Sequence, residues 1–185
     1  MTPSSAEELL SILQKRHNIL MRARTDKSPG KFKDRNNVAG QTSFVDKNLV
    51  KGTLIKSFGL YQVLEHPFKR AVFLMFVISE IHPFLDGNGR IARIMMNAEL
   101  VAQEQSKIII PTVYRDDYLG VLRKLSRKGE TDSYIRMLLH AADFSETVHG
   151  ENTHEMQKHL ENCNAFLEPT EGKLIFQSNG SNSRR

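Results

Sequence analysis

The sequence predicts a mainly α-helical fold, a helical bundle with one small β-hairpin, and three features indicate it. Residues 70–81 are apolar almost all round, which is typical of a buried central helix. A glycine-bearing loop follows, and a second helix-forming segment starts at Gly87. Residues 38–50 combine β-branched and aromatic residues with Gly40, a composition that favours a short hairpin.

The elements before the central helix follow from capping, periodicity and breakers. Ser4 and Glu7 have the spacing of a capping box, and apolar residues at helical spacing follow, so we expect a first helix over 5–22. Residues 26–37 are rich in Lys, Asp, Pro and Gly and predict a loop. After the hairpin a short helix is expected over 54–64. Pro67 suits the first turn of the central helix.

The elements after the second helix are mainly helical as well. We expect an extended segment at 108–114, followed by a helix to Arg127 that is capped by Asp116 or Asp117. A second helix to Phe144 is expected to be capped by Thr131 or Asp132. A polar helix over 152–167, a strand or docked tail at 173–176 and a disordered end at 177–185 should complete the chain. The chain therefore divides into a helix and linker at 1–27, a core at 28–144 and a C-terminal extension at 145–185.

Composition limits the class of protein. With 185 residues, 39% hydrophobic and 25% charged, the chain suits one folded domain with an appendage. The formal charge of +5 is compatible with an anionic partner and equally with an ordinary basic surface. A single cysteine, Cys163, allows no intramolecular disulfide and fits a reducing compartment. The longest apolar run is too short to span a bilayer, so we expect a cytoplasmic protein without a membrane partner.

The stretch HPFLDGNGRIAR, residues 82–93, carries the chemistry. A helix that begins at Gly87 presents unpaired backbone N–H groups, and glycines at 87 and 89 let a phosphate approach them. Asn88 between them can add a side-chain amide donor. Arg90 and Arg93 share one helix face near its N-terminus, where cations oppose the helix dipole, so they indicate a polyphosphate ligand.

Two further residues complete the predicted equipment. A carboxylate at Asp86 beside phosphates requires a bridging divalent cation, and Mg²⁺ is usually held by one or two carboxylates and phosphate oxygens. His82 titrates near neutral pH and can take a proton from an attacking hydroxyl. Phe84 between them is interpreted as a core residue. A base, a metal ligand and a phosphate clamp together predict phosphoryl or nucleotidyl transfer.

These residues resemble the signature of Fic-domain proteins, His-Pro-Phe-x-Asp/Glu-Gly-Asn-Gly-Arg-x-x-Arg, with every fixed position present. The resemblance extends over about 28–144, where RDDY at 115–118 is similar to the family's Arg-x-x-Tyr. It implies a Fic-like helical bundle with a hairpin flap near the active-site loop, and a Fic-like catalytic core at 28–144.

The resemblance implies an enzyme, a protein adenylyltransferase that moves AMP from Mg-ATP to a Ser, Thr or Tyr hydroxyl of a target protein and releases pyrophosphate. Its matching positions make His82 the general base and Asp86 the Mg²⁺ ligand. The residues implied in nucleotide binding are Gly87, Asn88 and Gly89 for the α-phosphate, Arg90 and Arg93 for the β- and γ-phosphates, and Tyr118.

The hairpin resembles the family's target-docking flap, which aligns a target segment by backbone pairing. The flap residues are Gly40, Gln41, Thr42, Ser43, Phe44, Val45 and Asp46. Gly89 separates the chain from a kinase-like branch that has lysine there. Lys33 stands where the family's arginine is expected.

Many family members carry an inhibitory helix with the pattern Ser/Thr-x-x-x-Glu-Gly/Asn. TVHGEN at 147–152 matches it, which makes Glu151 a candidate inhibitory partner of Arg93. Otherwise the inhibition would come from an antitoxin-like partner protein or from a longer parent chain. A homo-oligomer is also open.

Two alternatives remain at this stage. The same motif could transfer another nucleotide or another phosphate-containing group. The chain could instead be a non-catalytic module that binds nucleotide or nucleic acid, which we consider the weaker hypothesis because DNA phosphates do not require the His–Asp pair.

Overall fold

The protein, represented by a computed structural model, is described over residues 2–40 and 42–177. These residues form two compact units that divide between Gln105 and Ser106. Their seven α-helices are α1 (Ala6–Leu20), α2 (Val50–Gln62), α3 (Pro67–Ile81), α4 (Asn88–Val101), α5 (Arg115–Lys128), α6 (Thr131–Thr147) and α7 (Thr153–Asn162). The predicted mainly α-helical class is confirmed.

The predicted hairpin is also confirmed. Strands β1 (Val38–Ala39) and β2 (Thr42–Ser43) pair antiparallel, with Val38 opposite Ser43. Gly40 between them has φ +58°, a conformation that favours glycine. Gln41 of the predicted flap lies outside the described residues, as does the predicted disordered end from 178 to 185.

The N-cap of the first helix is one residue later in the sequence than predicted. Ser5 is the N-cap, and its Oγ accepts from the Glu8 N–H at 3.1 Å. The Glu8 carboxylate in turn accepts from the backbone N–H of Ser4 at 2.8 Å. The N-cap is thus Ser5, and the predicted capping box of Ser4 with Glu7 is wrong, because two adjacent serines and two adjacent glutamates allow either phase.

The predicted caps of α5 and α6 are wrong as well. A 3₁₀ turn at Thr112–Tyr114 leads directly into α5, so Asp116 and Asp117 lie in its first turn, where they favour the helix dipole. Helix α6 begins after Glu130, and no side-chain hydrogen bond caps it.

The core of the first unit is built by α3 and α4. Helix α3 buries eight residues, including Leu74, Met75 and Ile78, which are each 1% exposed or less. Helix α4 buries Ile91 and Met96 on its facing side. Because the helices at both ends of the 82–87 loop are anchored in one core, the loop has little freedom to move.

A polar network crosses this core. The Glu99 side chain is 4% exposed, and its Oε1 accepts from the Tyr61 hydroxyl at 2.7 Å. Its Oε2 lies 3.2 Å from Arg70 Nε, and the Arg70 guanidinium stacks over the Tyr61 ring at 4.4 Å. Burial raises the pKa of Tyr61, which therefore stays a neutral donor.

The second unit contains α5, α6 and α7. Phe144, Cys163 and Ala165 form a small buried cluster there. The 173–176 segment is the docked tail of the two predicted alternatives, because Ile175 N–H donates to the Cys163 carbonyl at 3.0 Å and Phe176 packs edge-on against Phe144. In the described part of the chain, no helix is both long enough and apolar enough to cross a bilayer.

We expect Glu99→Ala to lower the free energy of unfolding by about 2–4 kcal/mol, because it removes one partner of a buried ion pair and leaves the Tyr61 hydroxyl proton without its acceptor. Glu65→Ala, an exposed position, is the matched control and should change it by less than about 0.5 kcal/mol. Chemical denaturation measures both. Equal effects of the two variants would contradict a stabilising role for the network.

Candidate active site

The 82–87 loop is shaped by its two end residues. His82 ends α3 in the left-handed region at φ +50°, and Pro83 cannot continue the helix. Gly87 is the N-cap of α4 at φ +76°. The chain therefore turns sharply between the two helices, and the N-terminus of α4 opens beside His82.

Asn88 holds the turn closed from within. Its Nδ2 donates to the Phe84 carbonyl at 2.8 Å, and its Oδ1 accepts from the Phe84 N–H at 2.9 Å. The side chain is 3% exposed. The loop thus uses the amide oxygen and one of the two N–H groups, and a role of Asn88 as a side-chain donor for an anion stays a prediction.

His17 of α1 supports the loop from behind. Its ring stacks on Phe84 with centroids 3.7 Å apart and an angle of 3°. Its Nδ1 accepts from the Gly30 N–H at 3.0 Å, so Nε2 carries the proton and donates to the Asp86 carbonyl at 3.0 Å. Burial lowers the pKa of His17, which favours this neutral form. Sequence reasoning missed His17, although Leu9, Leu13 and His17 share one apolar helix face.

A cleft of about 330 Å³ opens in front of the loop. It is lined by residues of the motif, of the hairpin and of the segment before it: Asn37, Val38, Ala39, Phe44, His82, Leu85, Asp86, Gly87, Asn88, Gly89, Arg90 and Arg93. The structure thus brings the predicted base, the predicted metal ligand, the glycines and both arginines to one cavity, together with Phe44 of the predicted flap.

His82 has the tautomer that a general base needs. Its Nδ1 lies 2.8 Å from the Ser79 carbonyl and donates to it, so Nε2 keeps its lone pair. The ring stacks on Phe44 of the hairpin, with centroids 3.6 Å apart. Burial lowers the pKa of His82, and the charge of Lys33 lowers it further, which outweighs the opposite effects of Ser79 and Asp86. His82 is therefore neutral and able to accept a proton at pH 7.

Asp86 has one carboxylate oxygen available. Its Oδ1 accepts from the Gly87 N–H at 2.6 Å. Its Oδ2 lies 3.9 Å from both Arg24 Nη1 and Arg90 Nη2. Asp26 holds Arg24 by two hydrogen bonds of 3.1 and 3.2 Å. Arg24 is a second residue that sequence reasoning missed, since it lies outside the motif.

A magnesium ion fits this carboxylate. Among the residues that the structure describes, no group of three His, Cys, Asp or Glu side chains could hold a metal alone. Mg²⁺ commonly needs only one or two carboxylates when phosphate and water oxygens complete its octahedron. Asp86, 40% exposed at the cleft, meets that requirement.

The base of the hairpin is fastened by Asn36 and Lys33. Asn36 Nδ2 donates to the Asp46 carboxylate at 2.8 Å, and Asn36 Oδ1 accepts from the Lys47 N–H at 2.8 Å. Lys33 is buried, and its Nζ donates to Asn37 Oδ1 at 2.8 Å. The edges of β1 and β2 themselves remain largely exposed.

Tyr118 and Glu151 lie in the second unit. Tyr118 is on α5 and is 6% exposed. Glu151 is exposed and lies between the end of α6 at Thr147 and the start of α7 at Thr153, outside any helix. Their roles toward the nucleotide and toward Arg93 stay predictions.

Comparisons with known proteins point to one family. A model described as Fic/DOC family matches residues 8–100. The protein adenylyltransferase Fic of Drosophila persimilis is 36% identical over 73 residues, which cover 40% of this chain and 14% of that protein. The Drosophila grimshawi protein of the same name is also 36% identical over 73 residues, with 15% of it covered. The match thus spans about one seventh of the length of these curated relatives.

Solved structures agree on the fold. A Fic domain containing signaling protein from Bacteroides thetaiotaomicron has a TM-score of 0.61 at 22% identity, over 73% of this chain and 56% of that one. Fic-1 from C. elegans has a TM-score of 0.59 at 20% identity, over 84% of this chain and 44% of that one. At such identities the likeness concerns the fold alone.

We expect His17→Ala to lower the free energy of unfolding by about 2–4 kcal/mol, because it leaves a cavity against Phe84 and two unpaired backbone groups. Amide hydrogen exchange in residues 84–89 should also become faster than in the wild type, since the loop loses its support. Lys15→Ala, an exposed position on the same helix, is the control and should leave both measurements nearly unchanged. Unaltered exchange in His17→Ala would remove His17 as a support of the loop.

Proposed function

The chain belongs to the Fic/DOC family, and on that premise we propose that it is a protein adenylyltransferase, which transfers AMP from ATP to a hydroxyl side chain of a target protein. The observation that carries the proposal is the placement of His82, as a neutral base, in one cleft with the N-terminus of α4 and two arginines. The name of the Drosophila relatives supports the same activity.

The proposed reaction uses each group once. His82 Nε2 takes the proton of the target hydroxyl, whose oxygen attacks the α-phosphorus of ATP while the bond to the bridging oxygen breaks and pyrophosphate leaves. Backbone N–H groups at the start of α4 stabilise charge on the α-phosphate. Arg90 and Arg93 hold the β- and γ-phosphates. Asp86 would hold Mg²⁺, which when bound neutralises the charge of the phosphates.

The proposed partner is a protein with an accessible hydroxyl side chain. The exposed edges of the hairpin can pair with an extended target segment through backbone hydrogen bonds. Phe44 belongs to the segment that follows β2 and stacks on His82, so a segment paired along the hairpin would pass beside the base. Pairing of this kind selects an extended conformation rather than a particular side chain.

The direct test is incubation of the purified chain with Mg²⁺, α-labelled ATP and cell lysate. We expect label on the chain or on a lysate protein, and none with His82→Ala, which removes the base but should retain ATP binding by calorimetry within about threefold. Arg93→Ala should weaken ATP binding by at least about tenfold because a charge-assisted contact is lost. Intact mass of the labelled protein then distinguishes AMP from another nucleotide or phosphocholine. Label that survives in His82→Ala would refute the assigned base.

The pH dependence of kcat/KM should carry the signature of His82. Its pKa lies below the ordinary value of about 6.5, and the neutral form is the active one. Activity should therefore be complete at neutral pH and fall only as the pH drops through that lowered pKa. Lys33→Met should move the acid limb toward higher pH, because it removes a cation that lowers the pKa of His82. An acid limb above pH 7 in the wild type would contradict this assignment.

A further inference from the structure

A second cleft, of about 370 Å³, lies at the base of the hairpin and takes no part in the proposed reaction. Four of its eight lining residues are lysines, namely Lys31, Lys33, Lys47 and Lys51, and the remainder are neutral. The other four are Gln14, Phe32, Asn48 and Val50. A concave surface lined by three exposed lysines, a buried fourth and no carboxylate is suited to an anionic ligand.

The charge of the cleft is not neutralised within the described chain. Lys31 and Lys51 are exposed and form no ion pair with a described carboxylate, and Lys47 Nζ donates to the Asp34 backbone carbonyl rather than to an acid. The carboxylate of Asp46, which acts on Lys33, already accepts from Asn36 Nδ2 and from the Asn48 N–H.

The start of α2 adds to the positive potential. Val50 and Lys51 are its first residues and both line the cleft. The helix has no side-chain cap and no acidic residue in its first turn. Its unpaired N–H groups and positive dipole end therefore lie beside the lysines.

The surplus charge of the whole protein is concentrated in this region. Residues 1–105 contain 15 Lys+Arg and 10 Asp+Glu, whereas residues 106–185 contain 11 of each. Residues 27–56 alone contain seven basic and two acidic residues. The net charge of +5 is thus carried by residues 27–56, the hairpin and its flanking segments, because the basic and acidic residues of the remaining chain are equal in number.

The cleft is continuous with the hairpin. Lys33 precedes β1 by five residues, and Lys47 follows β2 by four. A target segment paired with the hairpin and continued by four residues would cover about 13 Å, at roughly 3.3 Å per residue. That length carries the segment from the strands to the hairpin base, where Asn36 fastens Lys47.

We propose that this lysine cleft binds an acidic stretch of the target polypeptide, four to six residues away from the modified hydroxyl. The proposal rests on the proposed adenylyl transfer, because it concerns the target of that reaction. The second cleft has lysines rather than arginines, and their mobile point charges can follow carboxylates at variable positions of an extended segment. Backbone pairing would align the target, and the lysines would supply the selectivity that such pairing lacks.

The test measures binding without nucleotide, so its outcome does not depend on whether adenylyl transfer occurs. The probe is a fluorescein-labelled peptide of 13 residues with a central threonine and glutamates four to six positions away on both sides, and its control has glutamines there. By fluorescence anisotropy at low salt, the full chain should bind the glutamate peptide at least about tenfold more tightly than the glutamine peptide. Equal affinity for the two peptides would overturn the proposal.

Two double variants with the same change in net charge separate a local site from a general field. Lys31→Glu with Lys51→Glu alters two exposed residues of the cleft and should abolish the preference for glutamate. Lys56→Glu with Lys69→Glu alters two exposed lysines elsewhere and should preserve it within about twofold. Equal losses in the two double variants, or tighter binding of a short RNA than of the glutamate peptide at the cleft, would overturn the proposal.

Discussion

The geometry of the candidate active site depends on the two hydrogen bonds between the Asn88 side chain and the backbone of Phe84. They close a five-residue turn, Phe84 to Asn88, which sets the direction in which α4 leaves the loop. The same Phe84 carbonyl accepts a second bond, from Asn37 Nδ2 at 2.9 Å, so the segment that leads into the hairpin is tied to this atom too. One carbonyl oxygen thus ties together the loop, the N-terminus of α4 and the segment that leads into the hairpin.

The two glycines of the motif meet different constraints. A Cβ at Gly87 would lie 2.9 Å from Met21 Sδ, and its φ of +76° is unfavourable for other residues, so this glycine is needed for the close approach of α1. A Cβ at Gly89 would meet only Arg93 Nη1, at 3.7 Å. The second glycine is therefore not required by packing, and its open side supports the proposed approach of a phosphate. Sequence reasoning assigned both glycines to that one purpose.

Sequence reasoning succeeded where the signal is local and chemically dense. The central helix, the loop between His82 and Gly87, the helix after it and the hairpin were all predicted, because periodicity, Pro83 and the glycines act within a few residues. The sequence of residues 82–93 also predicted that the motif residues would share one site, and they line one cleft.

It failed where the determinant is distant or locally ambiguous. His17 lies 69 residues before Asp86, to which it donates, and Arg24 reaches the same residue from a segment without any motif. Such contacts arise from packing of α1 against the loop, and a pattern within one segment does not encode them. The caps failed for another reason, since adjacent candidates such as Asp116 and Asp117 are equivalent until the preceding turn fixes where the helix begins.

Lys33 connects the two clefts through the end of α3. Its Nζ donates to the Ile81 carbonyl at 3.3 Å and its backbone N–H to the Pro83 carbonyl at 2.9 Å, on either side of His82. The first bond satisfies a carbonyl that the last turn of α3 leaves unpaired, where a cation is favoured by the helix dipole, and the second holds the segment that follows the helix. The same side chain lines the lysine cleft and holds Asn37. Lys33, in the position expected for the family's arginine, thus fixes the backbone on both sides of His82 and lowers the pKa of that histidine. It also lines the cleft proposed to recognise the target.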